Sequence, residues 1–554
     1  MKNHLLSTFV FITLSIMLLV CSCNRTEPEP LQELDQISSK TYVAFAGGGW
    51  RAHTGHTGWI LSLLDSGKRD LKSAFANVDV VASNSGGSWF STMLSYSEEF
   101  RKQVEDSSAI LNWSTSGWLG TQEALFNKAQ AGDCYLATGD KFLACVAAYY
   151  LGLDGATYWD SIIQEIVFHN YSLGTTKLSD KRQPWAKDKT ILLAGSMLTS
   201  QVVLNQISDD LSYYQACLQP SEPNLMAYEG AECLNGGSSI VSPVVFSSLP
   251  SSSKQNPPPF FSAINSDHNQ FNIGYTTNAY QSSHPPAKMK SVSNPIVSDQ
   301  VEIMHAAAAS SAAAGFAASL PVLGYWDLAY ASSDAALSFS LEDGVLKHQL
   351  TKGLSFEELT KKNIVRIADG GPVDNSGVTQ ILSYLQTNNR TDSFNIVAFD
   401  NVSELYIGSD YKYRIGADLA NLFGHQCPDD QFCSGDNCTG TCVTTADLMV
   451  FDSASLHQTP VKWSLQTSSN QYDQQIIYTK YKVTTVDNSA YGIKAGRSGT
   501  LHAFTCMWQN AGTSPQNETT DGDFKAYSDM LNFIYSGLRA TPNGQDYLEE
   551  AFGL

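Results

Sequence analysis

Basic residues are scarce in this sequence: 34 Lys and Arg stand against 54 Asp and Glu in 554 residues, a formal net charge of −20. That deficit argues against nucleic acid as a partner, because such binding rests on neutralised phosphates. It argues equally against purely electrostatic docking to an anionic membrane, while leaving a neutral or zwitterionic lipid open. Charge of either sign is sparse at 16%, whereas 43% of residues are hydrophobic and 11% aromatic, a globular composition. The length suits one large domain with insertions, or two to four ordinary ones. No internal repeat is present, which sets solenoids aside.

Long apolar runs are also lacking, with one exception. Leu5–Val20 is apolar but for a few Ser and Thr, and is brief for a membrane span. Lys2 precedes it and Cys21-Ser22-Cys23 follows, so residues 1–23 read as an export signal, with a short membrane anchor as the other reading. Val20–Cys23 also resembles a loose bacterial lipobox with Cys23 as the lipidated residue, although Cys21 departs from that pattern. Residues 24–40, polar and rich in Pro and Glu, read as a linker. The C-terminal YLEEAFGL has no apolar tail of the kind a glycolipid anchor needs. The expected location is extracellular, or an exported lipoprotein held through Cys23 in a bacterium.

Cysteine usage agrees with export. Beyond Cys23 there are Cys134, Cys145, Cys217, Cys233, Cys427, Cys433, Cys438, Cys442 and Cys506. Local pairs such as 134/145 and 217/233 suit disulfides in an oxidising compartment, and the odd number leaves at least one thiol free. The Cys-rich loop 427–442 lacks the paired short knuckles of a structural zinc site, so two disulfides are expected there. Sequons start at Asn24, Asn112, Asn170, Asn389, Asn401, Asn437 and Asn517, and are glycosylation sites if the source is a eukaryote.

From Thr41 onward, short apolar runs alternate with helical patterns. Strands are expected at Thr41–Ala46, Val78–Ala82, Ile191–Ala194, Asn363–Ala368 and Phe394–Phe399. Helices are expected after the glycines at 47–49 up to Ser66-Gly67, over Gly87–Tyr96 and over Gly377–Leu385. Ser248–Phe261, rich in Pro and Ser, reads as a surface loop, and the Ala-rich His305–Ser319 as a small-residue helix packed on a sheet. Strand-then-helix alternation implies an α/β fold with a mainly parallel central sheet flanked by helices, carrying irregular insertions. Residues 41–554 form the expected catalytic domain.

Two Gly-rich turns then raise the question of chemistry. Ala44–Ala52 reads AFAGGGWRA, with Gly47, Gly48 and Gly49 directly after the first strand. It supplies neither the Lys-Ser/Thr of a P-loop nor the G-x-G-x-x-G of a dinucleotide fold. Val81–Trp89 reads VASNSGGSW, with Ser85 where a strand passes into a helix, the setting of a nucleophile elbow. Taken alone it is as well a plain strand–helix turn. Asp369-Gly370-Gly371 follows a third apolar run. A carboxylate there can take the proton of Ser85 without an intervening histidine, provided an apolar, water-poor site raises its proton affinity. Adjacent parallel strands would bring the glycine loop and Ser85 to one sheet edge, where backbone N–H groups can receive an oxyanion.

These motifs resemble those of group IV cytosolic phospholipase A2 and fungal secreted phospholipase B, in the patatin-like superfamily. GGGWRAHTGHTG, Gly47–Gly58, is similar to their glycine motif; SGGSW, Ser85–Trp89, looks like the fungal nucleophile motif; and DGGPVDN, Asp369–Asn375, looks like the aspartate motif. The order agrees, and the similarity spans about residues 40 to 540, with the Ala/Ser-rich stretch around Ser310-Ser311 in the place of a small-residue segment. The resemblance implies a three-layer fold and a lysophospholipase or phospholipase. Ser85 is then the nucleophile and Asp369 its base, with Gly48, Gly49 and Gly86 the oxyanion donors and Arg51 the contact to the substrate phosphate. It implies no cofactor, no metal and no protein partner, only phospholipid or lysophospholipid at a membrane or micelle surface. Ser83 departs from the family glycine two before the nucleophile, no calcium-binding lipid domain precedes the glycine loop, and no second phosphate-binding arginine is identified.

Other readings remain. A Ser-Asp-His hydrolase would draw its histidine from His425, His457 or His502, all downstream of Asp369. A non-catalytic lipid-binding or adhesion protein could keep the fold. His53 and His56, three apart beside the glycine loop, lack carboxylate or cysteine partners nearby and read as surface or packed helix residues rather than metal ligands.

Overall fold

In the computed structural model the described residues are chiefly 40–64, 68–106, 117–130, 163–200, 239–250, short stretches between 261 and 325, 366–424, 431–439, 449–508 and 520–554, several with small gaps. Residues 1–39, with the expected signal and most of the expected linker, lie outside them, and Lys40–Leu554 forms one compact unit.

Apolar and β-branched residues on both faces make Thr41–Phe45 (β1) and Val78–Asn84 (β2) central strands, buried along almost their whole length. β1 pairs in parallel with β2 on one side and with Phe394–Val402 (β7) on the other. β2 pairs in parallel with Thr190–Ser200 (β3), and β7 with Ser498–Met507 (β10). Beyond this parallel centre the pairing changes. Ser239–Ser248 (β4) runs antiparallel to β3, with Phe261–Asn265 (β5) parallel at its far edge. At the opposite side Gln474–Thr484 (β9) and Trp463–Thr467 (β8) add as antiparallel strands. Arg366–Asp369 (β6) completes the ten-stranded sheet by pairing antiparallel with β3.

Alternation along the strands feeds two separate cores. Val43, Phe45, Val81, Val397, Phe399 and Phe504 face one layer of helices, built from Gly49–Leu63 (α1), Ser85–Tyr96 (α2), Thr520–Ala540 (α5) and Gly544–Phe552 (α6). Tyr42, Ala44, Val80, Ala82, Ile396 and Ala398 face Val378–Thr387 (α4) on the other side. The arrangement is helix, sheet, helix, compatible with a three-layer α/β fold.

The expected strands and helices all form where residues are described, with shifted ends. The elbow helix starts at Ser85 instead of Gly87, and the first helix ends at Leu63, short of Ser66-Gly67. The Ala-rich helix (α3) covers Ile303–Ser310 and stops short of the expected Ser319, which lies in a two-residue strand, Ser319–Leu320. The loop expected over Ser248–Phe261 lies largely outside the described residues. Part of the Cys-rich loop is strand: Gln431–Ser434 and Asn437–Thr439 pair antiparallel, with Cys433 opposite Cys438. Cys134, Cys145, Cys217, Cys233, Cys427 and Cys442 fall outside the description, whereas Cys506 is a buried free thiol. The sequon at Asn401 is corrected. Its side chain is fully buried and bonded to Trp59 and His56, so no glycan can reach it.

Phe399 stands at the centre of the larger core, against Phe45, Trp59, Phe504 and Phe552 at ring separations of 5.6, 5.5, 5.5 and 6.2 Å. Phe399→Ala is expected to lower unfolding free energy by about 3–5 kcal/mol, because the cavity cannot collapse between the sheet and the helix layer packed on it. Urea titration measures this, and a loss under about 1 kcal/mol would contradict so central a place for the ring.

Candidate active site

Ser85 and Asp369 meet because two strands run toward each other along one edge of β3. β2 pairs with β3 as far as Asn84 opposite Ala194, and β6 arrives from the other direction to end with Asp369 opposite Gly195. The two strand ends therefore abut. At that point the chain turns sharply: Asn84 is extended, whereas Ser85 has φ 49°, a left-handed conformation that a serine holds only when its surroundings impose it. The Ser85 Oγ donates to Asp369 Oδ2 at 2.8 Å. No imidazole lies between them. Both side chains are nearly buried, at 7% and 6% exposure.

The glycine loop lies against this turn. Gly48 and Gly49 have φ of 126° and 56°, which side-chain-bearing residues rarely adopt, and a Cβ on Gly86 would overlap the Gly49 carbonyl. Backbone thus packs on backbone, and the loop and elbow can approach only as glycine. Gly49 and Gly86 fall in the first turns of α1 and α2, where N–H groups have no partner within the helix. Two helix N-termini therefore converge beside Ser85, each favouring negative charge. The N–H of Ser85 itself is taken, donating to Ser310 Oγ at 3.0 Å.

Ser310, at the end of α3, binds both sides of the site. Its hydroxyl also donates to the Ala194 carbonyl and meets Ser88 Oγ at 2.8 Å, and its carbonyl accepts from the Gly370 N–H at 3.4 Å. Ser83, the departure from the family glycine, lies at the end of β2 before the turn. Its hydroxyl turns under α2 to Ser91 Oγ at 2.6 Å and is fully buried.

Burial is the main influence on Asp369 and pushes its pKa up to about 6, against hydrogen bonds from Gly371, Ser85 and Asn84 that favour the ionised form. Asp418 adds a small further rise. Arg51 is 8% exposed and donates its Nε to the Asn401 carbonyl at 2.8 Å. Burial draws the guanidinium pKa down, and Asp418 and, more weakly, Asp400 hold it up. Asp400 is fully buried, which pushes its pKa well above the usual carboxylate range.

The histidines divide as follows. His53 stacks on Trp118 at 3.7 Å, and His56 bonds the Ala46 carbonyl at 2.7 Å; burial depresses both pKa values. Both pack the core. His502 is buried against Tyr478 at 2.9 Å, His457 lies edge-on to Tyr413, and His425 is outside the described residues. Among the described residues no group of three or more His, Cys, Asp or Glu is arranged to hold a metal ion. Ser85, Asp369, Gly48, Gly49 and Gly86 converge, with Arg51 beneath the loop. Asn84, Asn375 and Asp418 were not identifiable from the sequence, save that Asn375 closes the DGGPVDN motif.

A folded pKa above the unfolded 3.8 means the native state binds the proton more tightly, so stability falls as pH rises from about 4 through about 6. Asp369→Asn removes that titration. It is expected to match wild type near pH 4 and exceed it above pH 7 by ~3 kcal/mol, the value of the rise from 3.8 to about 6. Urea unfolding at both pH values checks this; an advantage independent of pH would refute it.

No protein-family model matches the chain, and no curated protein matches it.

Proposed function

We propose that the protein is an exported serine esterase of the lysophospholipase/phospholipase type, with a patatin- or cytosolic phospholipase A2-like fold, acting through a Ser85–Asp369 dyad. The observation that carries this is the 2.8 Å bond from Ser85 Oγ to Asp369 Oδ2, made by a serine at φ 49° on a strand-to-helix turn. A buried serine–carboxylate pair is a poor structural element, since it holds both a strained backbone and a desolvated acid. Its features suit proton transfer instead.

In this reading Ser85 Oγ attacks the acyl carbonyl while its proton passes to Asp369 Oδ2. The carbonyl oxygen becomes an oxyanion held by N–H groups of Gly48, Gly49 and Gly86. The tetrahedral adduct expels the glyceryl oxygen, which takes the proton from Asp369, leaving an acyl-enzyme. Water then attacks the acyl carbonyl, gives its proton to Asp369, and the fatty acid departs as Ser85 regains that proton. No histidine is needed, because a carboxyl with pKa about 6 is largely ionised at neutral pH yet more basic than one in water. Arg51 is the expected contact to the headgroup phosphate, since its guanidinium lies beside Gly48.

Ser85→Ala and Asp369→Asn are each expected to lower kcat by about 10³-fold or more on phosphatidylcholine or its lyso form, whereas His502→Asn leaves it unchanged. In wild type, kcat/KM is expected to fall below a limb near pH 6, where Asp369 takes up its proton. Product analysis on position-labelled lipid reads the first, and activity retained in Ser85→Ala would sink the dyad.

A further inference from the structure

We infer that Asp418 is a positioning residue for the dyad: acting through Asn375, it fixes the orientation of the Asn84 amide that serves Asp369. The consequence for rate takes the hydrolase reading as its premise, while the relay itself stands on donor and acceptor chemistry.

A carboxylate can only accept hydrogen bonds, whereas a side-chain amide has one accepting and one donating end. Asp418 Oδ2 accepts Asn375 Nδ2 at 2.6 Å, so the Asn375 oxygen must face away from it. That oxygen accepts Asn84 Nδ2 at 2.8 Å. The NH2 end of Asn84 is thereby held on the Asn375 side, and the same amide hydrogen-bonds Asp369 in its ionised form. Asp418 fixes the direction of Asn375, and Asn375 together with the Asp369 carboxylate fixes that of Asn84.

A second observation agrees with an imposed orientation. Asn84 is fully buried, and its Oδ1 has no hydrogen-bond partner among the described residues. An amide free to choose would turn that oxygen to a donor, since an orphaned buried acceptor is unfavourable. Its position is where a Cβ on residue 370 would stand, so Gly370 makes room for it. The relay also reaches the oxyanion loop, because the Asn375 carbonyl accepts the Gly47 N–H at 2.9 Å. Burial raises the Asp418 pKa, while the Asn375 hydrogen bond and then the Arg51 charge oppose that rise and favour the carboxylate.

Exchanging the two partners tests the relay. Asp418→Asn leaves two amides with no preferred direction, and Asn375→Asp sets two carboxylates against each other. The double variant Asn375→Asp/Asp418→Asn again places one carboxylate beside one amide, keeps the net charge and presents an acceptor to Asn84. Each single variant is expected to slow both turnover and fluorophosphonate labelling of Ser85 about 10-fold or more, with KM changed less than about 3-fold; the double variant recovers to within about 3-fold of wild type. Unaffected single variants, or a double variant no better than the poorer single one, would overturn the relay. Should a single variant fail to fold, a folded and labelled double variant supports the relay, and a double variant that also fails overturns it. If wild type neither labels nor hydrolyses any of these lipids, the hydrolase reading fails by itself. The relay is then decided by whether the exchange restores the urea midpoint that the single variants lose.

Discussion

Two strands that meet end-on along one edge of β3 determine nearly everything else at the site. β2 leaves that edge at Ala194 and β6 takes it up at Gly195, from the opposite direction. A continuous edge strand would have satisfied β3 as well, but it would bring no two chain ends together. With two half-length partners, the residue after one strand and the last residue of the other are forced into contact. The left-handed backbone of Ser85 follows, since the chain must leave β2 at once to avoid β6 and enter α2. Ser310 then joins both ends, with its hydroxyl on the Ser85 N–H and its carbonyl on the N–H of Gly370.

The same close approach excludes water and shapes the electrostatics. Glycine at 86 lets the elbow sit against the carbonyl of Gly49, so little solvent reaches the dyad from that side. Loss of water raises the proton affinity of Asp369, while the Gly371 N–H, Ser85 and Asn84 limit the rise. Desolvation alone would leave a neutral acid, and hydrogen bonds alone would leave a feeble base. Their balance near 6 would suit, on the proposed reading, a carboxyl that accepts and returns a proton close to neutral pH.

Local pattern made the strands, the elbow helix and the position of Ser85 legible, because apolar runs broken by Gly-rich turns encode strand–turn–helix directly. Asp369 was legible for the same reason, although its strand runs antiparallel to β3, which no local signal announces. Asp418 was not. It follows a three-residue strand, Arg414–Gly416, far along the chain, and its link to Asn375 exists only through tertiary packing. Burial of Asn401 is equally invisible to a sequon pattern, since the residue lies on a strand whose alternation directs it under α1.

The surroundings of Arg51 constrain what it can do for a substrate. Asp418 and Asp400 both lie near its guanidinium, and two ionised carboxylates would outweigh it. Burial raises the pKa of Asp400 well above the usual carboxylate range and that of Asp418 less far, while Arg51 opposes the rise in both, so charge on Arg51 and on its carboxylate neighbours is offset locally. An offset cluster exerts little pull at distance, and the net charge of −20 opposes long-range attraction of an anionic surface. On the proposed reading, attraction of a headgroup phosphate would therefore act at short range, through helix N-termini and individual N–H donors. If the substrate is the proposed phospholipid, its entry would rest on burial of the acyl chain, which favours neutral or zwitterionic lipid over strongly anionic surfaces.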